Sequence, residues 1–229
     1  MSYSPILSIV TAAIEITAAV WVLKGPGRKP VLRVTAAVLL ILAAYQLLEV
    51  WICTLNTESI FLPRLAFWVV AWLPPTGLLL IALLRSKPSR ILKRYAGLFF
   101  VLAAFIGFWV LLDSGFVADS VCMVVFAKFT NPMPKYLIYC SFYWLGLLSM
   151  ILLSGFHAFS GSDQSERRLI RQVFYGTLAF IVPSLLTIQF LPTPDGSLPS
   201  ILCHFALLLA LFLVRMVWLE RRKSISDFE

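Results

Sequence analysis

The sequence predicts an all-α membrane protein, a seven-transmembrane-helix bundle with its N-terminus outside and its C-terminus in the cytoplasm. Three observations predict it. Of 229 residues 60% are hydrophobic and only 13% charged, with mean hydropathy +0.91. That is too few charges to make the shell of a soluble domain of this size. The apolar residues are also gathered into seven stretches, each close to the roughly 20 residues that cross a bilayer core as a helix. Finally, sixteen of the nineteen Lys and Arg residues fall in alternate loops.

The spans read, in order, 4–23, 32–53, 61–84, 95–112, 136–157, 168–190 and 199–218, all within one domain covering residues 1–229. No Lys or Arg precedes the first span, and Glu15 lies inside it. It lacks the basic start and small-residue cleavage site of a signal peptide, so it is expected to be a retained span. Lys24-Gly25-Pro26-Gly27-Arg28-Lys29-Pro30 ends it, because Pro lacks the amide donor and Gly costs extra backbone entropy. The second span carries Tyr45, Gln46, Glu49, Trp51 and Cys53. The third contains Pro74-Pro75-Thr76-Gly77, where a mid-span bend is expected, and stops at Arg85-Ser86-Lys87-Pro88. The fourth ends at Asp113 and opens the longest loop outside the membrane, 113–135. Its stretch from Val121 to Phe129 is β-prone and partly alternating, which suits a short hairpin or lid. The fifth span contains Tyr139, Cys140 and Tyr143, with His157 at its far end; Gly161-Ser162-Asp163 follows. The sixth contains Pro183, and the seventh opens on Pro199-Ser200 and carries Cys203 and His204. Prolines of spans 3 and 6 have no counterparts in spans 7 and 2, so no transporter-like repeat is visible.

Charge orients the set. The first, third and fifth loops and the C-terminal segment hold the sixteen basic residues, whereas the opposite side holds only Arg64, Lys128 and Lys135. The positive-inside rule makes the odd loops cytoplasmic. The net charge of +8 therefore reads as topology determinants facing anionic lipid rather than as a nucleic-acid surface.

A charge at a helix centre costs about 2.5 to 3.5 kcal/mol on insertion scales, so each polar residue in a span needs a reason. Given this orientation, Gln46, Glu49, Asp113, Tyr139, Tyr143 and His204 all belong to the outer half. They are the candidate ligand-binding residues of an outward-facing pocket between spans 2, 4, 5 and 7, with loop 113–135 as its lid. The competing reading is interhelical hydrogen bonding alone. Gln46, Glu49 and Cys53 are spaced three and four apart and share a helix face. Matching depth makes His204 the expected partner of Glu49. The four cysteines also map to the outer side, where oxidation is permitted. Cys53, then Cys203, are the candidate disulfide partners of Cys122; the other reading is that the cysteines are ordinary small apolar residues. Glu49, Cys53, Cys203 and His204 have metal-ligand chemistry without a metal signature in their spacing, so no metal and no cofactor is expected.

All seven lysines lie in loops or the tail, which excludes a retinal Schiff base, and Asp-Arg-Tyr and Asn-Pro-x-x-Tyr are missing from their places. Tyr45-Gln46-x-x-Glu49-x-Trp51, Pro74-Pro75-x-Gly77 and Pro199-Ser200-x-x-Cys203 resemble instead an uncharacterised bacterial seven-span family. That family is distantly similar to the seven-span sensor region found ahead of some histidine kinases. The resemblance implies a bacterial inner (plasma) membrane protein and carries no activity. No kinase or other output domain is expected within residues 1–229. The expected function is a receptor or sensor for a small ligand, working through a cytoplasmic signalling partner. A small-solute transporter is the alternative, and an intramembrane enzyme using Glu49, His204 and Cys203 comes third, with no catalytic motif to assign their roles.

Overall fold

In a computed structural model, residues 3–54, 59–85, 89–124, 127–160, 163–190 and 196–226 are described. Among them seven helical segments are long and apolar enough to cross a membrane. They comprise α1 (Ile6–Lys24), α2 (Lys29–Thr54), α3 (Phe61–Val70) with α4 (Leu73–Leu84), α5 (Arg90–Leu112), α6 (Met133–Ser160), α7 (Gln164–Phe190) and α8 (Leu198–Ser226). Most run beyond the spans read from hydropathy, because polar and basic flanks continue the same backbone hydrogen bonding past the apolar stretch. Large apolar side chains such as Phe105, Leu112 and Phe190 are at least 75% exposed. A soluble protein could not leave so many in water; a hydrocarbon surround removes the conflict.

The third span is the central one. Its most apolar window is 72% buried, against 33% for those of α1, α5 and α7. Together α3 and α4 touch α2, α5, α6 and α7, while α8 packs on α7, α1 and α2. The break in this span lies at Ala71–Trp72, just before the Pro74-Pro75 pair. Those two prolines cannot donate to the carbonyls of Val70 and Ala71, so α3 stops there and α4 restarts with proline in its first turn. The helical ladder resumes at Thr76, whose N–H and Oγ1 both donate to Trp72 O. Small residues let α6 approach: a Cβ on Gly146 would stand 2.4 Å from Pro74 Cβ, and one on Gly77 2.3 Å from Met150 Cε. Pro183, in contrast, sits within a continuous α7.

The long loop forms an antiparallel hairpin, β1 (Asp119–Cys122) and β2 (Ala127–Thr130), with Asp119 opposite Thr130 and Cys122 opposite Ala127. It caps one end of the bundle. Cys122 is disulfide-bonded to Cys53 at the end of α2, with Cα atoms 5.6 Å apart. Ser4 N–H donates to Val124 O, and Phe129 N–H donates to Gly196 O. Gly196 has φ +88°, and a Cβ there would meet Phe129 O at 2.0 Å, so this close approach requires glycine. Buried Phe116 and Phe129 stack edge-on against Phe67 of α3, rooting the hairpin in the bundle.

At the opposite, basic end, arginines close helix C-termini. Arg28 donates to Leu83 O at the end of α4, 3.1 Å, and holds buried Glu220 of α8 with Nε and Nη2. Arg221 donates to Trp21 O at the end of α1 and lies 3.8 Å over the Trp21 ring. Arg171 Nε donates to Ala158 O in the last turn of α6. Each guanidinium satisfies a carbonyl that has no intrahelical donor and sits at the negative pole of the helix dipole. Arg64 does the same at the hairpin end, donating to Leu111 O of α5.

Candidate functional site

The six candidate ligand residues do not share one pocket. They divide into three groups, all at the hairpin end. The deepest is built on Glu49, which is 1% exposed. Its neighbours on the same face of α2, Gln46 and Cys53, are engaged elsewhere, so the carboxylate draws partners from three other segments. Ser200 Oγ in the first turn of α8 donates to Oε2. Tyr3 OH from the N-terminal segment and Ser8 Oγ of α1 donate to Oε1, each at 3.4 Å. Burial pushes the Tyr3 phenol up to about 12, with the nearby Glu49 charge adding to the rise, so the phenol stays a donor across the physiological range. Gln46, one turn earlier on α2, donates through Nε2 to Cys203 O of α8. The positive pole of α8 also favours a carboxylate beside its first turn.

Glu49 is not paired with His204. The imidazole Nδ1 donates to Ser200 O, 2.7 Å away, one turn back along α8. Depth alone suggested the pairing, but Ser200 sits between the two side chains' reach and bonds each of them, one through Oγ and one through its carbonyl. Ser200 also accepts from the Ala127 N–H of β2 at 3.2 Å. A single hydroxyl thus joins hairpin, α8 and Glu49. Nothing but a serine at a helix start marked it in the sequence. Tyr3 and Ser8 were likewise missed, and only their depth relative to Glu49 could have signalled them.

The second group is aromatic. Tyr139 and Tyr143 of α6 stack with ring centroids 6.1 Å apart, and Tyr139 OH donates to Phe67 O at the end of α3. With Tyr136, Leu198 and Leu202 they line a cavity of about 30 Å³, and its wall includes Phe67, whose ring meets Phe129 of the hairpin edge-on. This is room for water-sized guests rather than a drug-sized ligand. Spans 3, 5 and 7 form it, so α5 does not contribute as the sequence suggested.

Asp113 forms the third group, apart from the others. It pairs with Lys135 Nζ at 2.6 Å and accepts the Gly115 N–H at 2.9 Å, which ties the end of α5 to the start of α6. The lysine's hydrogen bond, then that of Gly115, holds its carboxyl below the ordinary value. The pair clamps a loop at the rim and faces no cavity of the aromatic group.

Among the cysteines, Cys203 is a buried free thiol and Cys140 a half-buried one. Glu15 is fully buried, and neither of its carboxylate oxygens has a hydrogen-bond partner among the described residues. No group of three or more His, Cys, Asp and Glu side chains placed to hold a metal occurs among the described residues.

These features fit an integral membrane protein, a seven-helix bundle with a covalently tethered cap. Comparison of the chain with protein-family models and with curated proteins finds no match.

Proposed function

We propose that the protein is a seven-span receptor or sensor with its N-terminus outside and its C-terminus in the cytoplasm of a bacterium, and that it admits a small ligand beneath the hairpin. The observation that carries this reading is the double role of Ser200. The first turn of α8 walls the aromatic cavity through Leu198 and Leu202, and its Ser200 bonds both the hairpin and Glu49. A ligand that parts the hairpin from α8 has to break one or both of these bonds. The same helix runs to the basic end, where Glu220 and Arg221 hold Arg28 and the last turn of α1. Binding at one end is thereby coupled to the packing of three helices at the other. Such coupling requires a ligand with different affinities for the docked and released hairpin. The location of the disulfide opposite the basic residues supports the orientation, since disulfides persist in oxidising compartments. The cytoplasmic signalling partner would meet the basic loops.

The test is native mass spectrometry of protein extracted in mild detergent, beside a Leu202→Trp variant that fills the cavity. A small-molecule adduct on the wild type and not on the variant is the expected result. A wild type with no adduct, whose hairpin amides exchange at the same rate across a panel of small solutes, refutes the reading.

One observation favours the transporter alternative. The central span is broken at Ala71–Trp72, and broken helices accompany substrate sites in transporters. Solute uptake into proteoliposomes that requires the Pro74-Pro75 pair would decide for it.

A further inference from the structure

At the basic end α5 and α6 diverge and leave a groove of about 460 Å³, the size of a ligand site and far larger than the cavity under the hairpin. One end is polar. Arg85 and His157 line it, with Ser89, the N-cap of α5, whose side chain accepts from Leu92 N–H. Arg85 Nε is buried and 3.7 Å from the Glu166 carboxylate, beyond hydrogen-bond reach, and it has no hydrogen-bond partner among the described residues. The floor is closed two turns deeper by the hydrogen bond between Tyr95 OH and Ser149 Oγ, 2.8 Å. The lips are apolar: Ile91 is 81% exposed and Leu152 62%. Leu152 lies inside the fifth span and Ile91 on the basic flank just before the fourth, so the groove runs from the basic membrane boundary toward the depth of the bilayer. From Ser149 to His157 it extends about 12 Å along α6, enough for a glycerophosphate and the first part of an acyl chain.

We propose that this groove binds an anionic phospholipid taken from the surrounding bilayer, with the phosphate at Arg85 and His157 and an acyl chain between Ile91 and Leu152. A soluble anion would leave the apolar lips unused, and an amphiphile without a headgroup acceptor would leave the buried Arg85 Nε without a hydrogen bond. Arg85, with the exposed Arg90, Lys93 and Arg94 at the start of α5, outweighs the paired Glu166, and this basic mouth favours a lipid with a negative headgroup. The proposal is independent of the sensor reading, since it uses neither the hairpin nor the Glu49 group.

The experiment is native mass spectrometry of the full chain released from micelles containing equal amounts of phosphatidylglycerol and phosphatidylcholine with identical acyl chains. One basic contact near the surface is worth about fivefold in binding. The wild type should hold phosphatidylglycerol by at least that preference, and Arg85→Gln should lose it. Because Arg85 also neighbours Glu166, Ile91→Glu serves as the second variant. It alters an exposed residue, sacrifices no buried contact, and places a carboxylate at the mouth, so it too should abolish the preference. Equal retention of both lipids by the wild type overturns the proposal, as does undiminished preference in folded Ile91→Glu protein. Displacement of the bound lipid by millimolar inorganic phosphate would assign the site to free phosphate and also overturn it.

Discussion

At the scale of single residues, Ser200 is worth more than its size suggests. Ser200→Ala leaves the Ala127 N–H and Glu49 Oε2 without their shared partner, at a cost of about 1–3 kcal/mol for the buried groups. The expected outcome is a lower unfolding temperature in detergent together with faster amide exchange at Ala127, while exchange in α5 is unchanged. Uniform exchange across the molecule would show that Ser200 has no special tie to the hairpin. Glu49 was legible as a site because a carboxylate in an apolar helix demands an explanation. Its partners were not, since serine and tyrosine are ordinary residues at helix starts and chain ends. The same limit misassigned His204, whose depth was right and whose partner was its own helix.

At the scale of elements, glycine shows how helices α4 and α6 meet. A methyl at Gly146 collides with the rigid ring of Pro74, whereas one at Gly97 meets nothing within 4 Å. Gly146→Ala should therefore destabilise by about 1–3 kcal/mol through overpacking. Gly97→Ala, in the interior of α5, should stabilise by about 0.5–1 kcal/mol through helix propensity. Thermal unfolding of the two variants in one detergent checks the contrast; equal effects would remove the close α4–α6 contact from the account. Proline placement was readable up to a point. The pair at 74–75 announced a break, and the missing donors place it three residues earlier, at Ala71–Trp72. Pro183 gave an identical local signal and leaves α7 continuous. Of the β-prone stretch from Val121 to Phe129, residues 121–122 and 127–129 lie in the two strands of a hairpin, though its docking partners Gly196 and Ser4 are remote in sequence and had no local mark.

At the scale of the whole molecule, the basic residues act twice, once as a charge asymmetry and once as caps on α1, α4 and α6. The orientation they imply is checked by C-terminal fusions. A fluorescent protein that matures only in the cytoplasm should fluoresce, and alkaline phosphatase fused at the same point should remain inactive. The opposite pair of results would invert the topology and place the disulfide in a reducing compartment. By itself the sequence determined that this is a seven-helix membrane protein, where its helices lie, and that its polar chemistry concentrates at one end. Those properties follow from hydropathy and charge summed over many residues, which no single contact alters. Only the tertiary structure decided that Glu49 meets Ser200 rather than His204, that Asp113 clamps a loop, and that a groove lies between α5 and α6. Each of these depends on the rotation of one helix against another, which is set by close packing at residues such as Gly146 and Pro74 and is invisible to any local pattern.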